Sequence, residues 1–260
     1  MTKASNSPRI LYWDIETSLQ LVAVFSLLHN DYIDPSSLVT ERYIISACWN
    51  WEGDDKIHSV SVLDDPKRYE KNPSDDYHVI KKLHEVMSEA DVIIGHNSDQ
   101  FDKKWINTRI LFHGMSPLPP IASIDTFKIS KKVFLMNSNK LAYIAKLLKV
   151  GAKIQTTPGL WMRVLAGDKK AIREMVVYNK QDVVVTKAVF KKLQPYVDSH
   201  INRELFGGTG CPRCGSSKIQ SRGVHRAITR IYQRYQCQSC AGWFRELKAE
   251  TKSTTKFHVI

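Results

Sequence analysis

Four of the five cysteines stand as two C-x-x-C pairs, Cys211-Pro-Arg-Cys214 and Cys237-Gln-Ser-Cys240, with 22 residues between them. All four fall in the last 60 residues, and no other feature restricts the fold of this chain so strongly. A segment that short buries too little apolar surface to hold itself together unaided. Two thiol pairs at this spacing supply what it lacks: four thiolates suit one tetrahedral Zn²⁺ in a closed structural site. The polar stretch Met1–Pro8 has no apolar signal segment, so a reducing, cytoplasmic setting is expected and metal ligation is favoured over disulfides. Cys48 sits apart in an apolar run and reads as a small buried hydrophobe. The glycine-rich break Leu205–Gly210 marks a change of composition, which places a domain boundary near 203: residues 1–203, then a cysteine-bearing 204–260 whose end, Ala249–Ile260, is expected to be disordered.

Charge divides the chain at the same place. The net charge is +12, from 38 basic and 26 acidic residues; 201–260 holds 11 basic and 3 acidic residues (+8), leaving 27 and 23 (+4) in 1–200. A basic tail on a nearly balanced domain points to a polyanionic partner, or else to a solvated face kept for solubility. Apolar residues at 43% and charged residues at 25% exclude a disordered or fibrous class, and no apolar run is long enough for a membrane span.

Hydrophobic periodicity gives the element order in the first domain. Ile10–Ile15, Tyr43–Trp51 and Ile57–Leu63 read as strands, the last two joined by a turn at Glu52–Asp55. Asp76–Ala90 reads as a helix, Asp91–Gly95 as a short buried strand, and Phe101–His113 as a helix with Trp105, Ile106, Ile110 and Leu111 as its apolar stripe. Ala122–Phe127 reads as a fifth strand. Asn139 would cap a helix holding Leu141, Ile144, Ala145 and Leu148, and a long helical stretch, continuous or broken, would run from about 168 to 197. This order predicts a mixed α/β domain with its early strands antiparallel and its later strands parallel.

Three groups of acidic residues stand out at element ends. Asp14 and Glu16 are two apart on the first strand, so both carboxylates share a face. Asp102 follows the polar turn Gly95–Gln100 and opens a helix. Tyr178 and Asp182 are four apart on a helix, beside the valine run Val183–Val185. Each alone suits a solvated end or a helix-surface contact. Together they put four carboxylates next to segments that should pack against one another, and such a set repels itself in a low-dielectric cleft unless divalent cations lie within it. Oxygen donors favour Mg²⁺ or Mn²⁺, and two such ions about 4 Å apart are a recurring device for in-line phosphoryl displacement.

Asp14-Ile15-Glu16, Asn97-x-x-x-Phe101-Asp102 and Tyr178-x-x-x-Asp182 resemble, in order, the three motifs of the DEDD superfamily of 3′–5′ exonucleases. Tyr four residues before the last Asp is similar to the Tyr subtype, that of the proofreading domains of DNA polymerases. Ile124-Asp125-Thr126 and the helix ahead of Lys153 also resemble segments of that family, and the likeness spans residues 8–195. The resemblance implies a ribonuclease H-like fold and two catalytic Mg²⁺ or Mn²⁺ ions held by Asp14, Glu16, Asp102 and Asp182. Glu16 would also touch the attacking water, and Tyr178 would orient it, since a phenol of ordinary pKa near 10 is a poor base. Thr17 and Asn97 would hold the 3′-terminal nucleotide. Asp99, Asp125 and His96 are read as supporting or packing residues. No polymerase domain fits in 260 residues, so the chain reads as a free-standing nuclease similar to short ones carried by bacteria and phages.

The C-terminal pairs, with a strand expected over Ile228–Tyr235, resemble a zinc ribbon with one structural Zn²⁺. Its arginines, Arg222, Arg230 and Arg234 among them, are interleaved with Tyr232, Tyr235, Trp243 and Phe244, so cations could meet phosphates while rings stack on bases. The expected substrate is nucleic acid, single-stranded DNA ahead of RNA, with replication or repair proteins as candidate partners. An exoribonuclease or structure-specific endonuclease on the same fold stays open, as does a nucleic-acid-binding adaptor with a vestigial site.

Overall fold

The computed structural model describes residues 7–24, 26, 32–152, 154, 157–197, 201–227 and 231–246. The chain divides into two compact units, one of Arg9–Phe190 and one containing Lys191 onward. In the first unit, β1 (Ile10–Thr17) is the central strand of a five-stranded mixed sheet. Ile10 to Trp13 are all buried, as an apolar run covered on both faces should be; Asp14 and Glu16 then become half-buried while Ile15 stays in the core. A short two-stranded ribbon follows, β2 (Leu21–Val22) with β3 (Leu38–Thr40), which no apolar pattern announces.

β4 (Ile44–Trp51) pairs antiparallel with β1, and β5 (His58–Ser61) antiparallel with β4. Two helices come next, α1 (Pro66–Lys71) and α2 (Tyr77–Ser88). β6 (Val92–Gly95) then lies parallel to β1 on its other side. After α3 (Asp102–Phe112), β7 (Ala122–Asp125) adds parallel to β6 at the edge. The sheet order is therefore β5-β4-β1-β6-β7, with the early strands antiparallel and the later ones parallel, as the element order predicted.

Four boundaries differ from expectation. β7 stops at Asp125 because that side chain accepts the Phe127 N–H and starts α4 (Thr126–Val133) at once. The helix α5 (Leu141–Leu148) is capped at Lys140, not Asn139, and no side-chain cap forms. It ends at Lys149, whose φ of 53° is left-handed, ahead of Gly151. A helix the periodicity missed, α6 (Pro158–Leu165), begins with proline in its first turn, where the missing N–H costs nothing. Finally α7 (Lys169–Leu193) is unbroken over 25 residues. Its buried residues Ile172, Met175, Asn179, Asp182, Thr186, Val189 and Leu193 recur every three or four positions, so the core-facing stripe itself carries Asn179 and Asp182.

α3 departs from its expected stripe. Ile106 and Ile110 are buried, but Asp102 and Arg109 join them and Leu111 faces solvent. Arg109 is paired with the carboxylate of Asp76, while Asp102 accepts the backbone N–H of Ile15.

The second unit holds a three-stranded antiparallel sheet, order β10-β9-β8, made of β8 (Ile219–Arg226), β9 (Ile231–Cys237) and β10 (Trp243–Arg245). Of the strand expected over Ile228–Tyr235, the described residues show Ile231 onward, in a strand that runs to Cys237. Residues 228–230, with Arg230, and the tail Ala249–Ile260 lie outside the described residues, as does Lys153. Among the described residues no helix is long and apolar enough to cross a membrane.

Candidate active site and cysteine cluster

Asp14, Glu16 and Asp182 converge. One carboxylate oxygen from each lies within 4.8 Å of the others. The strand supplies two by its period of two, and α7 supplies the third from its buried stripe. The site sits at the C-terminal end of β1. The chain leaves β1 toward β4 on one side, and leaves β6 toward β7 on the other. Such a divergence opens the crevice in which ligands of α/β sheets are commonly held.

Asp102 is placed beside this group and is not part of that close triad. Its Oδ1 accepts the backbone N–H of Ile15 at 3.3 Å, between the two β1 carboxylates. Burial first, then the negative charge of Asp125, raise its carboxyl to about 7 against the pull of two backbone N–H groups. Tyr178 is buried on α7 one turn before Asp182, and its ring meets Trp161 of α6 edge-on at 6.2 Å.

The turn before Asp102 is held from below. Asp125 accepts the N–H of Asn97 at 2.8 Å and that of Asp99 at 3.2 Å. This fixes Asn97 at φ 59°, a left-handed conformation that asparagine tolerates. Gly95 is required there, since a Cβ at 95 would stand 2.5 Å from the Ser98 side chain. Asp99 is tied to Lys128 and Ser123, and His96 to Thr126 and the edge of Phe127. Thr17 is buried at the end of β1.

Two residues with no assigned role in the sequence back this site. Asn179 Nδ2 donates to Asp14 Oδ2 at 2.6 Å, and Ser46 of β4 donates its hydroxyl to Asn179 Oδ1 at 3.3 Å. The available signal was helical spacing: Asn179 is three positions before Asp182 and shares its face. Cys48, opposite Asp14 in the β1–β4 register, is fully buried, and burial foremost, with Asp14 nearby, pushes its thiol well up. It stays a neutral packing group, as expected.

In the second unit Cys211, Cys214, Cys237 and Cys240 bring their sulfurs within 4.8 Å of one another. The Cys211–Cys240 and Cys214–Cys237 separations are 3.9 and 3.6 Å. Four thiolates about a metal at a metal–sulfur distance of about 2.3 Å stand about 3.8 Å apart, so the donor set fits a tetrahedral ion. Burial opposes ionisation at Cys237, but the N–H groups of Cys240 and Ser239 outweigh it and bring the thiol down to about 7. On the sheet beside it, Arg234 lies 4.9 Å over Trp243 and Arg245 4.2 Å over Tyr232, and Tyr235 stacks on Phe244. Arg234 also donates to the Arg222 carbonyl, and the Arg222 side chain is exposed.

No match was found among curated proteins. Among solved structures, the family B DNA polymerase of the hyperthermophilic archaeon Pyrobaculum calidifontis is similar at a TM-score of 0.51 and 18% identity, over 79% of this chain and 26% of that one. The present chain thus spans about a quarter of that polymerase, and at this identity the likeness is one of fold. The five-stranded mixed sheet flanked by helices is ribonuclease H-like. Residues 40–194, which include β4 to α7, match the RNase_H_2 family, and on this match the chain belongs to the RNase_H superfamily.

Proposed function

We propose that this chain is a two-metal-ion 3′–5′ exonuclease of the DEDD type, Tyr subtype, acting on nucleic acid in the cytoplasm, with single-stranded DNA ahead of RNA. The observation that carries the reading is the convergence of Asp14, Glu16 and Asp182 at the end of the central strand, with Tyr178 one helical turn before Asp182. Three carboxylates so close in a half-buried cleft are a strained arrangement without a cation and a good ligand set with one.

Asp14, Glu16, Asp102 and Asp182 would hold Mg²⁺ or Mn²⁺. Such ions, when bound, lower the pKa of water and offset the negative charge that develops on a departing 3′ oxygen. The protein's own residues do the rest. Glu16 accepts a hydrogen bond from the attacking water, and the Tyr178 hydroxyl orients that water, its ring braced by Trp161. Asn97 and Thr17 flank the terminal nucleotide. Burial inclines Asp102 to protonate, and a nearby cation would oppose that.

The second unit is the nucleic-acid grip: a zinc ribbon from 204 to 260 attached to a nuclease domain of 1–203, with Cys211, Cys214, Cys237 and Cys240 on one Zn²⁺. Arg222, Arg230 and Arg234 would meet phosphates. The rings of Tyr232 and Trp243, preset against Arg245 and Arg234, would take bases. Cys237→Ser should lose most of its zinc by elemental analysis and weaken binding of long single strands roughly tenfold or more, while trinucleotides are still cut. Unchanged binding of long strands by a zinc-free variant would remove the grip from this account.

The activity test uses 5′-labelled single-stranded DNA and RNA of one sequence with Mg²⁺, Mn²⁺ or EDTA. A ladder that shortens from the 3′ end and vanishes in EDTA is the expected result, and its sugar preference names the substrate. Tight binding with no ladder on either strand would instead favour an adaptor with a vestigial site.

A further inference from the structure

We propose that Asn179 is a positioning residue that holds Asp14 in the orientation a divalent cation requires, with Ser46 as the support behind it; this rests on the metal-ion reading above. Asn179 and Ser46 are both fully buried, and their side chains form one continuous chain: Ser46 Oγ to Asn179 Oδ1 at 3.3 Å, then Asn179 Nδ2 to Asp14 Oδ2 at 2.6 Å. The direction of the chain is fixed by chemistry. An ionised carboxylate only accepts, so the NH₂ end of the amide must face Asp14, and the carbonyl end is left for a donor, which the Ser46 hydroxyl is.

The donor is also neutral. A lysine or arginine in this place would hold Asp14 as firmly but would put a positive charge against the site where a cation has to enter. The amide fixes one oxygen of the carboxylate and leaves the net negative charge of the triad intact. The strut joins three elements as well: Ser46 is on β4 opposite Glu16, Asn179 is on α7 three residues before Asp182, and Asp14 is on β1. The strut bonds Asp14 directly, and Glu16 and Asp182 lie on the elements it joins. Groups that orient a metal ligand from behind typically change metal affinity by about 10- to 100-fold when removed.

The test measures Mn²⁺ binding to substrate-free protein by electron paramagnetic resonance, with thermal melts of the metal-free forms alongside. Asn179→Ala should weaken Mn²⁺ about tenfold, and Ser46→Ala should weaken it by a smaller factor in the same direction. Ser46→Ala removes one hydroxyl from a strand and serves as the reading if Asn179→Ala fails to fold. Mn²⁺ affinity equal to wild type in either folded variant, with only a lowered melting temperature, would overturn the proposal and leave Asn179 a plain packing group. Asp14→Ala separates this failure from a wider one. If wild type itself binds Mn²⁺ no better than Asp14→Ala, the metal-ion reading falls and this inference falls with it.

Discussion

Asp14→Ala is expected to release no nucleotides: kcat/KM on a single-stranded substrate should fall by roughly 10³-fold or more, with the fold intact. Asp14 belongs to a triad whose oxygens lie within 4.8 Å, so its loss removes a third of the negative charge of that triad. Stability is governed by two opposed effects. Removing one of three crowded carboxylates relieves repulsion. It also leaves the buried Asn179 amide without the acceptor it meets at 2.6 Å, which costs about 1–3 kcal/mol. Asp14→Asn keeps an acceptor oxygen in that place, so it should melt higher than Asp14→Ala while being as inactive. Nuclease rates and melting curves on the two variants check both halves. A residual rate within tenfold of wild type in either would show that Asp14 does not take part in the chemistry.

The parts of this molecule legible in its sequence are those set by local period and spacing. β1 and β4 are long apolar runs, β6 is a short one bounded by polar turns, and the order of strands predicted the mixed sheet. The Asp14–Glu16 pair follows from a period of two and the place of Asp182 on its helix from a period of nearly four, and these three carboxylates converge. What was hidden depends on partners distant in sequence. Asn179 reads as an ordinary polar helix residue until β4 brings Ser46 and β1 brings Asp14 to it. The buried Arg109 takes the place that Leu111 was expected to hold in the stripe of α3, because an arginine is buried only where a carboxylate waits for it. α6 had a readable start in Thr157-Pro158, but its short apolar spacing of Leu160 and Val164 gives it little weight beside longer neighbours.

Arg109→Met is expected to destabilise the chain by roughly 3–5 kcal/mol, lowering its melting temperature by about 10 °C. Asp76 explains the size of the effect. At the head of α2 it reads as a helix cap, yet it makes no cap hydrogen bond and is fully buried. Its two oxygens instead accept Arg109 Nε and Nη2 at 2.8 and 2.7 Å, His113 Nε2 at 2.6 Å and the Ile44 N–H at 2.8 Å. One carboxylate therefore ties α2 to α3 and to the first residue of β4, the strand beside β1. Burial pushes its pKa up, but the hydrogen bonds from His113 and Arg109, the guanidinium charge and the Ile44 N–H outweigh it and hold it below the usual carboxylate range. A carboxyl whose folded pKa lies below its unfolded value stabilises the fold at every pH above the unfolded value, about 4. That contribution fades as pH falls below about 4 and is gone once pH passes the folded value. Wild type should thus lose stability steeply in acid, and Arg109→Met should lose less over the same range, since less of the shift remains to be lost. Asp76→Leu combined with Arg109→Met should recover only part of the deficit: it removes the stranded charge but leaves the Ile44 N–H without an acceptor. Denaturant melts of the two variants between pH 3 and 7 test this. A loss under about 1 kcal/mol in Arg109→Met at neutral pH would mean that the ion pair contributes no more than an exposed one.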